Sequence, residues 1–336
     1  MYIHINSSLN IFKIKFMYFI LFFFLNYHEK YIDDFFKYYL NIKQVSIIIP
    51  IFNSEKFLND CINSVTNQTL KTIEIICIDD GSTDNSSKIL DNYIQSDKRI
   101  VILKHINKGS GFSRNKGIKI SRGKYISFLD SDDIYENKFA LKNILEKANK
   151  YKAIICGGGM KILTKKISYR IFETEGFIKY EDYQYDYDYQ RFIYNKNFLR
   201  KNHLNFPRYL RYQDPPFFIQ AMSSAKKFYA IKSVIYAKRS SKKTFNEKQI
   251  IDMYNGIKDC LELAEKKHLY KLYELILSRL NMKYTIKIAN KFSNNIEIRN
   301  VILKIIKSID KKLLIKYKIN FKLDRFYKNI IHNKFI

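Results

Sequence analysis

The chain has 336 residues, is 46% hydrophobic and carries a formal net charge of +28 at neutral pH. That size and apolar share build one or two domains with an ordinary core, which excludes a disordered chain. Four cysteines, none in a C-x-x-C pair, suggest no disulfide framework, which fits a reducing compartment, and six scattered histidines show no metal-ligand spacing.

The positive charge favours an acidic partner: a phosphate-bearing substrate, an anionic membrane face or nucleic acid. Lysines are spread evenly along the chain, so the charge singles out none of these by itself. Residues 1–43 stand apart. Phe16 to Leu25 is uninterruptedly apolar and follows Lys13 and Lys15. A bilayer-spanning helix needs about 20 apolar residues, so this core is short for one. An uncleaved short anchor, an interfacial segment and an upstream-start artefact all fit it.

Regular patterning begins at Val45. Val45 to Ile51 is a continuous β-branched run, as expected of a strand buried on both faces. Phe57, Leu58, Cys61, Ile62 and Val65 then recur at helical spacing. Ile73 to Ile78 predicts a second strand, followed by a helix from about Asp84 with Ile89, Leu90, Tyr93 and Ile94 on one face. Ile100 to Leu103 predicts a third strand, and Gly109 and Gly111 lead into a helix through Ile118. A fourth strand is expected over Lys124 to Leu129, then a helix over 137–149 and a strand over 152–156. The triplet Gly157-Gly158-Gly159 reads as a flexible turn. Strand–helix alternation predicts an α/β fold with a mostly parallel sheet flanked by helices.

In open α/β sheets, ligands bind beyond the carboxyl ends of the strands. Three polar clusters fall there: Pro50 to Asn53, Asp79 to Asp84, and Asp130-Ser131-Asp132-Asp133. The last sets three carboxylates within four residues. Two such charges at 4 Å repel by about 1 kcal/mol in water and roughly 4 kcal/mol at an effective dielectric of 20. Solvent or a hard cation such as Mg²⁺ or Mn²⁺ would offset that repulsion. No G-x-G-x-x-G follows the first strand and no G-x-x-x-x-G-K-[ST] occurs, so neither a dinucleotide fold nor a P-loop is supported. A phosphate site here would rely on a metal and on basic side chains such as Arg114.

These pieces, in this order, resemble family-2 glycosyltransferases of the GT-A fold. The matching segments are Ser46 to Asn53, Ser64 to Gln68, Asp79 to Asp84, Asn107 to Gly109, Ser113 to Gly117 and Gly123 to Asp133. The resemblance covers about 44–239. It implies an inverting, DXD-type enzyme that transfers a sugar from a nucleotide-sugar donor, UDP-linked by expectation, to a saccharide or lipid-linked acceptor. Pro50, Phe52, Asn53, Asp79 and Asp80 would then face the nucleotide. Phe52 would lie by the base and Asp80 would hydrogen-bond it. Arg114 would lie near the nucleotide, Asp130 would reach the ribose, and Asp132 would hold Mg²⁺ or Mn²⁺ on the diphosphate. The implied setting is cell-envelope polysaccharide assembly, in the cytoplasm or peripherally at the inner membrane face, with no nucleic-acid partner.

In the second half, Tyr180 to Tyr189 interleaves tyrosines with acids. It reads as an alternating strand or solvated loop, or as aromatic faces for a sugar acceptor. Phe192 to Leu199 resembles the family segment that precedes the catalytic acid. The resemblance places the general base at Asp214, with Gln213 where the family commonly has Glu. Phe218 to Met222 reads as a short helix, Lys227 to Tyr236 as a strand, and Lys238 to Lys243 as a basic loop near the diphosphate or a solvated charge run. Three parts follow: 1–43, a catalytic domain over 44–240 and a basic helical extension over 241–336. Val301 to Lys318 is amphipathic and lysine-rich, suited to an anionic membrane surface or to packing on the domain. Two competing expectations are a nucleotidyltransferase, which needs a Gly-rich basic loop after the first strand, and a catalytically degenerate binding homologue, hinted at by Gln213.

Overall fold

The structure is a computed structural model describing residues 43–239, 246–292, 294–319, 321–322, 327–328 and 330. The expected N-terminal segment, except Lys43, and the basic loop from residue 240 lie outside the described residues. In the first half, β1 (Val45–Ile51), α1 (Glu55–Thr66), β2 (Ile73–Asp79), α2 (Ser86–Ser96), β3 (Ile100–Lys104), α3 (Ser110–Ile120) and β4 (Tyr125–Phe128) alternate as the sequence predicts. Then come β5 (Ile134–Tyr135), α4 (Ala140–Lys150), β6 (Ile155–Leu163), β7 (Ser168–Arg170), β8 (Gly176–Lys179), α5 (Tyr180–Tyr183), β9 (Phe192–Asn195), α6 (Lys196–Lys201), α7 (Asp214–Ala225) and β10 (Lys227–Arg239). Helices α8 (Glu247–Lys266), α9 (Tyr270–Leu280), α10 (Lys283–Lys291), α11 (Ile296–Ser308) and α12 (Lys311–Lys316) follow.

One sheet runs β3-β2-β1-β4-β9-β6-β10-β5, with β7 on β6 and β8 on β10. Strands β3, β2, β1 and β4 are parallel. Beyond β4, strand β9 enters antiparallel between β4 and β6. β1 and β2 are buried at every position, which is why they read as unbroken apolar runs. Pro50 lies past the last β1–β4 pair, Ile48 with Phe128, so its missing N–H faces no β4 partner. Alternation along β1 sends Val45, Ile47, Ile49 and Ile51 into one core and Ile48 into the other. The first core is closed by α1 and α4. The second is closed by α7 together with α8, α9 and α11, whose Tyr254, Ile257, Ile276 and Ile302 join Phe128, Tyr189 and Phe217.

The expected α8 face, Ile250, Tyr254, Ile257, Leu261 and Ala264, is wholly inward. On α11, Val301, Ile302 and Ile305 are buried while Lys304 and Lys307 point outward. Among the described residues no helix is long and apolar enough to cross a membrane.

The glycine triplet is not a turn. It lies inside β6, with Gly157 paired to Phe192 of β9. A Cβ on Gly157 would meet Phe192 Cε1 at 2.2 Å, and one on Gly158 would meet the Ile235 side chain at 2.9 Å. Bare backbone here lets the Phe192 ring lie across the strand. Gly157→Val is therefore expected to overpack the site and destabilise the fold by roughly 1–3 kcal/mol or more, read as a lower urea midpoint. An unchanged midpoint would contradict this packing.

Candidate active site

Three loops meet at the carboxyl edge of β1, β2 and β4, and their polar side chains first hold one another. After β1, the Asn53 N–H donates to Ser82 Oγ at 3.1 Å, and Asn53 Oδ1 accepts from the Thr83 N–H at 2.8 Å. Asp84 accepts the Glu55 N–H at the start of α1, and Glu55 in turn accepts the Asn85 N–H, each at 3.0 Å. Asp79 accepts the Ser82 N–H at 2.9 Å. Asp80 accepts the N–H groups of Lys108 at 2.7 Å and Gly109 at 2.8 Å. Gly109, at φ +89°, supplies the left-handed turn that presents its N–H to Asp80 just before α3. Both acids are buried: Asp79 closes its own loop and Asp80 clamps that loop to the one before α3, while Phe52 is 48% exposed at the rim.

The acidic cluster divides by partner. Asp130 Oδ1 accepts Arg114 Nη2 at 2.7 Å, and Oδ2 accepts Gln190 Nε2 at 2.8 Å. Burial works against its ionisation, but Arg114 and Gln190 outweigh it and hold the carboxyl down at about 2. Asp133 is buried and turned away from that group. Its oxygens accept the Tyr236 hydroxyl and the Arg239 N–H, both at 2.7 Å. Burial, then the charges of Asp130 and Asp132, push its carboxyl up to about 8. Asp132 lies between them, partly exposed, and its backbone carbonyl accepts Arg239 Nη1 at 3.2 Å.

Arg114 links this cluster to the second half of the chain. It rises from α3 with its side chain 4% exposed and reaches Asp214 Oδ1 at 3.2 Å as well as Asp130. The Tyr189 and Phe206 rings each lie 5.3 Å from its guanidinium carbon. The sequence placed Arg114 near a nucleotide but gave no sign of this double pairing. Helix α7 starts at Asp214, earlier than the Phe218 expected from periodicity, because Pro215 and Pro216 fit a first helical turn. Asp214 therefore sits at a helix N-terminus, where the dipole favours its charge. Its side chain is 31% exposed. Burial raises its pKa; Arg114 opposes the rise and Asp130 adds to it, leaving the pKa above the usual carboxylate value. Gln213 donates from Nε2 to Ser110 Oγ at 2.7 Å, and that hydroxyl accepts Arg114 Nη1 at 3.2 Å. Gln213 thus braces Arg114 through Ser110.

The tyrosine-rich stretch is neither strand nor solvated loop. Tyr180 and Tyr189 are buried, Asp186 pairs with Arg279, and Asp188 pairs with Arg170. Its acids answer arginines distant in sequence, which no local pattern reveals.

Among the described residues no group of three or more His, Cys, Asp or Glu side chains is arranged to hold a metal ion. Mg²⁺ taken up with a phosphate substrate commonly uses one or two carboxylates, and Mn²⁺ likewise suits oxygen donors. The partly exposed, hard-oxygen Asp132 beside Asp130 fits that demand.

The profile of glycosyl transferase family 2 matches residues 46–211. EpsJ of Bacillus subtilis, an uncharacterized glycosyltransferase, is 29% identical over 220 residues, which cover 61% of this chain and 64% of EpsJ. The chain spans less than two thirds of the length of the first curated relatives it matches. Among solved structures, S. aureus TarS residues 1–349 in complex with UDP-GlcNAc superposes with a TM-score of 0.66 at 21% identity, over 80% of this chain and 82% of that one. The mannosyltransferase PcManGT of Pyrobaculum calidifontis, in complex with GDP-Man and Mn²⁺, gives 0.53 at 11% identity, over 85% and 82%. Both likenesses concern the fold, and it is the profile match over the three loop clusters that carries ancestry. With its sheet, its acidic loop after β4 and its motif order, the chain carries a glycosyl transferase family 2 domain over residues 46–211 and has the GT-A fold.

Proposed function

We propose that the chain is a metal-dependent inverting glycosyltransferase. It takes a nucleotide-sugar donor, UDP-linked by likeness to the TarS complex, and transfers the sugar to a saccharide or lipid-linked acceptor in cell-envelope polysaccharide assembly. The observation that carries this reading is the Asp130–Arg114–Asp214 bridge, which ties the acidic cluster to a second carboxylate 84 residues beyond Asp130 along the chain. A binding module has no need of that second carboxylate.

In this reading the Pro50–Asn53 and Asp79–Asp84 loops form the nucleoside end, with Phe52 beside the base. Asp130 meets the ribose and Asp132 faces the diphosphate. A divalent cation held there supplies Lewis-acid stabilisation of the leaving diphosphate. Arg114 holds Asp214 Oδ1, so Oδ2 is the oxygen offered to an acceptor hydroxyl. Asp214 removes that proton as the hydroxyl attacks the anomeric carbon opposite the leaving group. The exposed lysines of α11 and α12 suit loose contact with an anionic membrane face.

UDP release from a panel of UDP-sugars, measured with Mn²⁺ and with EDTA, tests this reading. Turnover is expected with Mn²⁺, loss with EDTA, and at least a hundredfold loss in Asp132→Ala. Equal turnover in EDTA, or full activity of Asp132→Ala, would remove the metal and its ligand from the account.

A further inference from the structure

A cavity of about 430 Å³ opens beside this site, between the ends of β6 and β10, the tyrosine-rich stretch and α9. None of the nucleoside-end residues lines it. Four of its five charged lining side chains are cations, Arg170, Lys238, Arg239 and Arg279, and Asp188 is the acid. Two of the arginines are fixed in place. Arg279 grips the fully buried Asp186 through both Nη atoms, with its guanidinium carbon 4.2 Å from the Tyr187 ring centroid. Arg170 pairs with the buried Asp188 and donates to the Tyr185 hydroxyl at 3.0 Å. A guanidinium carries five N–H groups, more than these partners use. Arginines held this way present their remaining donors with little further loss of side-chain freedom.

Both walls lead to the residues proposed for chemistry. Arg279 reaches the Tyr212 hydroxyl at 3.1 Å, two residues before Asp214. On the other wall, Arg239 gives its backbone N–H to Asp133 at 2.7 Å. The Lys238 charge acts on both Asp130 and Asp214. A neutral sugar needs no such set of cations, whereas a phosphate is matched by guanidinium and ammonium donors. The tyrosines offer an adjoining aromatic surface.

We propose that this cavity is the acceptor subsite and that it takes a sugar or polyol carrying a phosphate, with the phosphate seated on Arg170 and Lys238. The proposal rests on the glycosyltransferase reading above. The test is calorimetric titration of the full chain, loaded with UDP and Mn²⁺, with glucose 6-phosphate, glucose and inorganic phosphate. Glucose 6-phosphate is expected to bind at least tenfold more tightly than either of the others, and less tightly as salt is raised. Arg170→Gln and Lys238→Gln should each weaken it about tenfold, with UDP affinity unchanged in Arg170→Gln; the second variant breaks no ion pair among the described residues, so it guards against a folding artefact in the first. Equal affinity for glucose, equal affinity for inorganic phosphate, or an equal loss of UDP affinity in Arg170→Gln would overturn the subsite. A chain that binds no UDP contradicts the glycosyltransferase reading and the subsite together, whereas UDP binding without phosphate preference contradicts the subsite alone.

Discussion

Asp214→Asn is expected to lower kcat by about 10²–10⁴-fold while leaving UDP affinity near that of the wild type, because a positioned general base contributes on that order. Asparagine keeps the shape of the side chain and an oxygen for Arg114, so the Asp130–Arg114 pair should persist. The pH profile of the wild type carries the same information. Asp214 must be ionised to accept a proton, and burial raises its pKa despite the opposing Arg114 charge. Activity should be full above that raised pKa and fall as pH drops through it, at a higher pH than an ordinary aspartate would give. Arg114→Met removes the opposing charge, so the acid limb should move to still higher pH as kcat falls. A limb that stays in place in Arg114→Met would show that the guanidinium does not act on the base.

The largest stability effect is expected at Asp186. This carboxylate is fully buried and holds Arg279, itself 11% exposed, by two hydrogen bonds. Removing one partner of a buried pair leaves the other charge uncompensated and typically costs about 3–5 kcal/mol. Asp186→Ala should therefore lower stability by about that amount in urea unfolding. The double variant Asp186→Leu with Arg279→Met should recover most of the loss, because no charge is then stranded. A double variant as unstable as the single one would mean that shape, not charge, holds this region together.

The first half of the sheet was legible because β1 and β2 are buried on both faces and so are written as unbroken β-branched runs. The loop clusters after β1, β2 and β4 were legible because turn residues and acids interrupt that pattern at a strand end. Partnerships across the chain were not. Asp133 reads as the third acid of a cluster, yet its partners Tyr236 and Arg239 lie 103 and 106 residues away. Gly157 to Gly159 read as a turn because glycine is a turn residue; the side chains crowding them, Phe192 of β9 on Gly157 and Ile235 of β10 on Gly158, explain their place in a strand. Tyr180 to Tyr189 looked solvated because its acids were counted without Arg170 and Arg279. Strand β9 runs against its neighbours, and a four-residue apolar segment carries no mark of direction.

The most direct test of the account is the anomeric configuration of the product, read by proton NMR from a reaction with an α-linked UDP-sugar and an accepted acceptor. A single base at Asp214, attacking from the face opposite the diphosphate, predicts a β-linked product with no α-linked isomer. An α-linked product would contradict direct displacement assisted by Asp214.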